Sequence, residues 1–137
     1  MNSFHIFQVS ASALEAQRQR MNVIASNMAN VHSTKTDEGG PYRRKDVIFS
    51  AVSEQSGSDT LVGVKVVDVV ADSTPLRTVY DPGHPDADKE GYVSMPNINI
   101  IEEMVNMMMA SRAYEASVSA FNMSKTMFLK TLELGRQ

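Results

Sequence analysis

Four side chains able to bind a metal or move a proton fall close together: Asp81, His84, Asp86 and Asp88. Carboxylate and imidazole are suitable donors for divalent cations. Their spacing, however, matches neither a helical ligand pair nor a calcium-binding loop. Pro82 and Pro85 stiffen the stretch, and aspartate before proline starts turns readily, so the segment reads as a structural turn. His5 and His32 have no partner that the sequence places within reach. No Gly-x-Ser-x-Gly nucleophile motif and no phosphate-cradling glycine loop occurs, and Gly39-Gly40-Pro41 reads as a chain reversal. The chain has no cysteine, which excludes thiol catalysis, disulfides and thiolate metal sites. The expectation is a non-enzymatic chain with no catalytic residue, no cofactor and no metal.

The remaining composition narrows the class. The 137 residues are 42% hydrophobic and 21% charged, the balance of one small globular unit with extensions. A net charge of −3 supplies no cationic field for nucleic acid. The one basic cluster, Arg43-Arg44-Lys45, reads as a solvated strand edge. No apolar run reaches the ~18 residues of a membrane-spanning helix, and the start of the chain lacks the basic-then-apolar pattern of a cleavable signal. Ten methionines hint at adaptable contact surfaces.

Two amphipathic segments stand at the ends. From about Phe4 to Asn30 a heptad-like pattern runs through Phe4, Phe7, Ala11, Leu14, Arg18, Met21, Ala25 and Met28, with Arg18 as its one polar break; Ile24 and Val31 widen it. Asn2 or Ser3 could cap its start. From about Asn99 to Leu134 a second pattern runs through Ile100, Met104, Met107, Ser111, Tyr114, Val118, Phe121, Lys125, Phe128 and Leu132. Asn99 with Glu102 resembles a capping box, Glu103 adds charge at the positive end of the helix dipole, and Lys130, Gly135 and Arg136 mark the other end. The helices would be ~40 and ~54 Å long. Met104, Met107, Met108 and Met109 do not all fit one stripe; Met109 lies on a second face, which points to a helix touched on more than one side.

Between the helices lie β-branched runs at Tyr42–Val52, Leu61–Val70 and Leu76–Tyr80, with a further short strand at Tyr92-Val93; Ser53–Thr60 reads as a loop. The expected class is α+β: long terminal helices forming a coiled-coil-like layer (1–32 and 97–137, together one helical domain) around a small inserted β module (33–96). Two narrow stripes without a third long helix suggest ends that order on assembly.

These blocks resemble the axial proteins of the bacterial flagellum, the rod, hook and related subunits. Ser12-Ala13-Leu14 followed by Met21 through Asn30 is similar to their N-terminal signature. Gly39 through Lys45, Asp81 through Ala87, Gly91-Tyr92-Val93, Pro96-Asn97, Glu102 through Met107 and Ser111 through Ala116 are similar to a rod subunit in particular. Only about Ala51 to Thr74 lacks a motif. The chain departs from the family pattern at 31–33, Met108, Met109 and Ser117. The resemblance implies a structural subunit of the basal-body rod that stacks helically and transmits torque. It implies as partners copies of itself, other rod proteins and the flagellar type III export apparatus, with no signal cleavage, nucleic acid, small-molecule substrate or membrane insertion. The assembly residues expected are Phe4, Phe7, Leu14, Met21, Ile24, Met28, Ile100, Met104, Met107, Tyr114, Val118, Phe121, Phe128 and Leu132. The rival readings are another axial subunit, with the short β module speaking against hook, and a non-flagellar coiled-coil adaptor.

Overall fold

A computed structural model describes the backbone of residues 3–56 and 59–135 and the side chains of 5–53 and 62–135. The order is α1 (Ser3–Ala29), β1 (Lys45–Ser56), β2 (Asp59–Ala71), β3 (Arg77–Tyr80), β4 (Tyr92–Met95) and α2 (Ile100–Leu134). The α+β class is as expected, two long terminal helices around a β insertion. The predicted seam residue Phe4 has its side chain outside the described residues, as do the candidate cap Asn2 and the terminal Arg136.

The two helices run antiparallel. Phe7, near the start of α1, meets Phe121 and Phe128 late in α2, with ring centroids 5.2 and 6.2 Å apart in edge-on geometry. At the far end of α1, Asn27 meets Glu103 in the first turn of α2. The two stripes therefore face each other within one chain, and only their outward rows are left for other molecules. Asn99 caps α2 by accepting the Ile101 N–H at 3.1 Å. Gly135 ends it with right-handed backbone (φ −77°), so no left-handed cap forms. Lys130 pairs with Glu133 at 2.8 Å.

The β insertion is two antiparallel hairpins, β1–β2 and β3–β4. β1 and β2 pair from Lys45↔Ala71 out to Ser56↔Asp59, with a register shift at Ile48/Phe49. The predicted loop at Ser53–Thr60 is therefore mostly strand. Polar composition does not exclude a strand there, because the backbone ladder bonds form without regard to side-chain polarity.

α1 lies between α2 and the β1–β2 hairpin. The hairpin lands on α1 at Gly63, where an added Cβ would stand 3.1 Å from Ser12 Oγ. Ser12 Oγ accepts the Val64 N–H at 3.2 Å and donates to the Val9 carbonyl at 2.8 Å. The buried apolar core is small, comprising Ala16, Ile24, Val93, Ile98 and Ala110 among the described residues.

The Asp81–Asp88 segment is the turn expected. Asp88 Oδ1 accepts the N–H groups of Glu90 and Tyr92, and His84 Nδ1 accepts the Asp86 N–H at 3.1 Å. Gly91 has φ +85°, and a Cβ there would meet the Tyr80 ring at 2.9 Å, so both the backbone and the Tyr80–Tyr92 ring pair require glycine.

Candidate functional site

Two features stand out: a buried polar junction where the elements meet, and a bare apolar face on α2.

The junction is built from Asn27, Arg44 and Glu103. Asn27 and Glu103 are both 0% exposed. Asn27 Nδ2 donates to the Lys45 carbonyl at 2.8 Å and to Glu103 Oε2 at 2.9 Å. Its Oδ1 accepts the Lys45 N–H at 2.9 Å and the Tyr42 hydroxyl at 3.3 Å. The side-chain amide thus satisfies both backbone groups of the first β1 residue, as a neighbouring strand would. Arg44 Nε donates to Glu103 Oε1 at 2.8 Å, and its guanidinium also reaches Asp46 at 3.2 Å and Asp72 at 3.7 Å. The Arg44 N–H goes to Asn97 Oδ1 at 2.8 Å. Burial pulls the Arg44 guanidinium down, but its bonds to Glu103 and then Asp46 outweigh this and leave its pKa raised. Thr74, through its hydroxyl and then its N–H, and more weakly the Arg44 and Arg43 charges, hold Asp72 below the ordinary carboxylate range.

The sequence reading does not foresee this junction. The basic cluster reads from sequence as a solvated edge, yet Arg44 is paired with a fully buried carboxylate. Glu103 does stand in the first turn of α2, as the sequence indicates, and is in addition the junction's centre. Asn27 fell among polar positions off the stripe. A signal did exist: Asn27, Arg44, Asn97 and Glu103 each sit inside a different block of the flagellar resemblance. The four blocks converge here.

The predicted seam residues divide into three groups. Ile24 is buried, and Phe7, Leu14, Met21, Met28, Met107, Tyr114, Val118, Phe121 and Phe128 are half-buried. Ile100, Met104 and Leu132 are exposed. On α1 the row Ala11, Arg18, Ala25 faces solvent, and Arg18 there pairs with Glu15. On α2 the bare face carries Ile101 (70% exposed), Met104, Val105, Met108 (57%) and Met109 (59%). It lies opposite the side bearing Glu103 and Ala110, both fully buried. The face resumes farther along at Met123, Met127 and Leu134. Between the two apolar groups the helix exposes polar residues, Arg112 and Ser119 among them.

Among the described residues no group of three His, Asp or Glu side chains stands close enough to hold a metal, and no helix is long and apolar enough to cross a membrane. A cleft of about 290 Å³ opens between α1 and the hairpin, lined by Val9, Ala16, Val64 and Val66 among others.

Comparison with known proteins decides the family. Residues 7–34 match the family model described as "Flagella basal body rod protein", and residues 89–134 match "Flagellar basal body rod FlgEFG protein C-terminal". The flagellar basal-body rod protein FlgC of Escherichia coli O6:H1 is 50% identical over 136 residues, covering 99% of this chain and 100% of its own. That of Bacillus subtilis is 45% identical with 99% and 100% covered, and that of Borreliella burgdorferi 41% identical with 98% of each. The chain belongs to the FlgC family of flagellar basal-body rod proteins. It is a structural rod subunit, and its place is the flagellar basal body. The two matches lie on either side of the β1–β2 hairpin and of β3, so the family models cover nearly all of the helix pair and β4, which leads into α2.

Proposed function

We propose that this rod subunit assembles through the outward rows of its helix pair, with the α2 face of Ile101, Met104, Val105, Met108 and Met109 as principal contact. The partners are copies of the chain and other rod proteins. The exposure of that face carries the reading: a helix already packed on one side presents a second apolar side to water, and burying it against a neighbour removes that surface from solvent. Methionine suits such a face because its flexible side chain fits neighbours that differ slightly in shape. A long face spreads torque over many weak contacts.

In this reading the seam residues divide by role. Phe7, Leu14, Met21, Met28, Tyr114, Phe121 and Phe128 hold the helix pair, while Ile100, Met104 and Leu132 join the outward contact. The terminal helices, 1–32 and 97–137, act as one assembly domain whose ends order fully in the rod. The 33–96 region stands to one side of the pair and spaces neighbouring subunits. The chain carries out no catalysis and reaches the rod through the flagellar export apparatus. A Met108→Asp/Met109→Asp chain tests the face. It is expected to fold with the helicity of the unaltered chain yet be absent from purified basal bodies by mass spectrometry. Its normal incorporation would contradict the assignment.

A further inference from the structure

The apolar seam between α1 and α2 is repetitive. Its α1 row steps by seven through Phe7, Leu14, Met21 and Met28, and its α2 row steps by seven through Met107, Tyr114, Phe121 and Phe128. Sliding one helix by a heptad exchanges apolar for apolar, so burial alone discriminates poorly between registers. We propose that the Asn27–Glu103–Arg44 junction is the register lock of this helix pair.

Three observations carry it. Asn27 and Glu103 are fully buried, so a slide strands an amide and a carboxylate away from water, the arrangement that is most costly. The Asn27 amide has no spare capacity: each of its polar atoms already makes two bonds, to Lys45, Glu103 and Tyr42. Arg44 precedes β1 and bonds the same carboxylate, so the hairpin is fixed to the register as well. A single polar contact setting the register of a repetitive seam is the best-attested use of buried polar groups. Asn27 and Glu103 are positioning residues here, acting on where the outward rows fall along the pair.

The chain's lack of cysteine makes the test direct. Asn22→Cys and Asn122→Cys place spin labels on exposed positions of α1 and α2, about two heptads (~21 Å) apart along the axis of the antiparallel pair. With the junction intact, electron–electron resonance on the full chain is expected to give one narrow distance. In Asn27→Met/Arg44→Met/Glu103→Met, helicity is expected to persist while a second population appears, displaced by ~10 Å for a one-heptad slide. One unchanged distance in that variant overturns the proposal, as does a broad distribution with the junction intact. If circular dichroism finds the triple variant unfolded, Glu103→Met alone is read by the same rule, since Asn27 keeps its bonds to Lys45 and Arg44 keeps its two aspartates.

Discussion

Glu103 Oε2 accepts a hydrogen bond from the Asn27 side chain at 2.9 Å, across 76 positions of sequence, and neither residue is touched by solvent. That contact closes the helix pair at one end as the Phe7–Phe121 ring pair does at the other. The hairpin is tied to the same point through Lys45 and Arg44.

Removing the carboxylate should be costly. Glu103→Ala leaves the Asn27 amide short of one acceptor and Arg44 without its most buried partner, and a destabilisation of ~3 kcal/mol is expected. Glu103→Gln keeps the shape and one acceptor but turns an NH2 toward a donor of Asn27 or Arg44, and is expected to be destabilising too, though less than Glu103→Ala. Urea unfolding of the three chains checks the order; equal midpoints would remove the junction from the stability account.

Phe121 serves the other end. Phe121→Ala removes a half-buried ring packed edge-on against Phe7 and is expected to cost ~2 kcal/mol, below the range for a fully buried phenylalanine. Phe121→Asp places a charge in the seam and is expected to abolish swimming while synthesis continues. Normally swimming cells carrying Phe121→Asp would show that the seam tolerates a charge.

The hairpin contact is testable at one atom. Gly63→Ala brings a methyl against Ser12 Oγ, 3.1 Å away, so the hairpin must shift. Faster hydrogen exchange across β1 and β2 is expected, with that in α2 unchanged. Ser12→Ala on that background removes the clashing oxygen and is expected to restore part of the protection, which makes the pair of substitutions non-additive.

Acid should loosen the molecule before alkali does. Asp72 and Glu15 have pKa values lowered from 3.8 and 4.5, Asp72 by Thr74 and the nearby arginines and Glu15 by Gln19 and Arg18. A lowered carboxylate contributes its full stabilisation above its ordinary pKa and loses it as pH falls through the folded value. Arg44, whose pKa is raised by its bonds to Glu103 and Asp46 against the pull of burial, keeps its share until strongly alkaline pH, above its ordinary value. Melting temperature is therefore expected to fall below about pH 4.5, and Asp72→Asn is expected to flatten that fall. An unchanged acid limb in Asp72→Asn would assign the loss to other carboxylates.

The fold was largely legible because its signals were local. Heptad spacing located α1 and α2 to within a residue or so, and Asn99 before Ile100 marked the start of α2. Strand segments followed from β-branched runs wherever one side of a strand faced the protein. They failed at Ser53–Ser56, where polar composition reads as loop and the backbone nonetheless pairs with β2. The junction was hidden for a different reason. A buried asparagine or glutamate looks like a surface residue until its partners are known, and those partners lie far along the chain. The stripes also could not reveal which row faced inward: Ala11, Arg18 and Ala25 belong to the α1 pattern yet point to solvent, while the α2 partner takes the row of Phe7.

The outward α2 face is where the account can be met most directly. Met108→Cys gives the chain its one thiol on that face. Maleimide labelling can then be timed on the dilute protein and on purified basal bodies. The expected result is rapid labelling of the free chain and at least tenfold slower labelling in the assembled rod. Equal rates in both would mean that the face stays in water within the rod, and would contradict the proposed assembly surface.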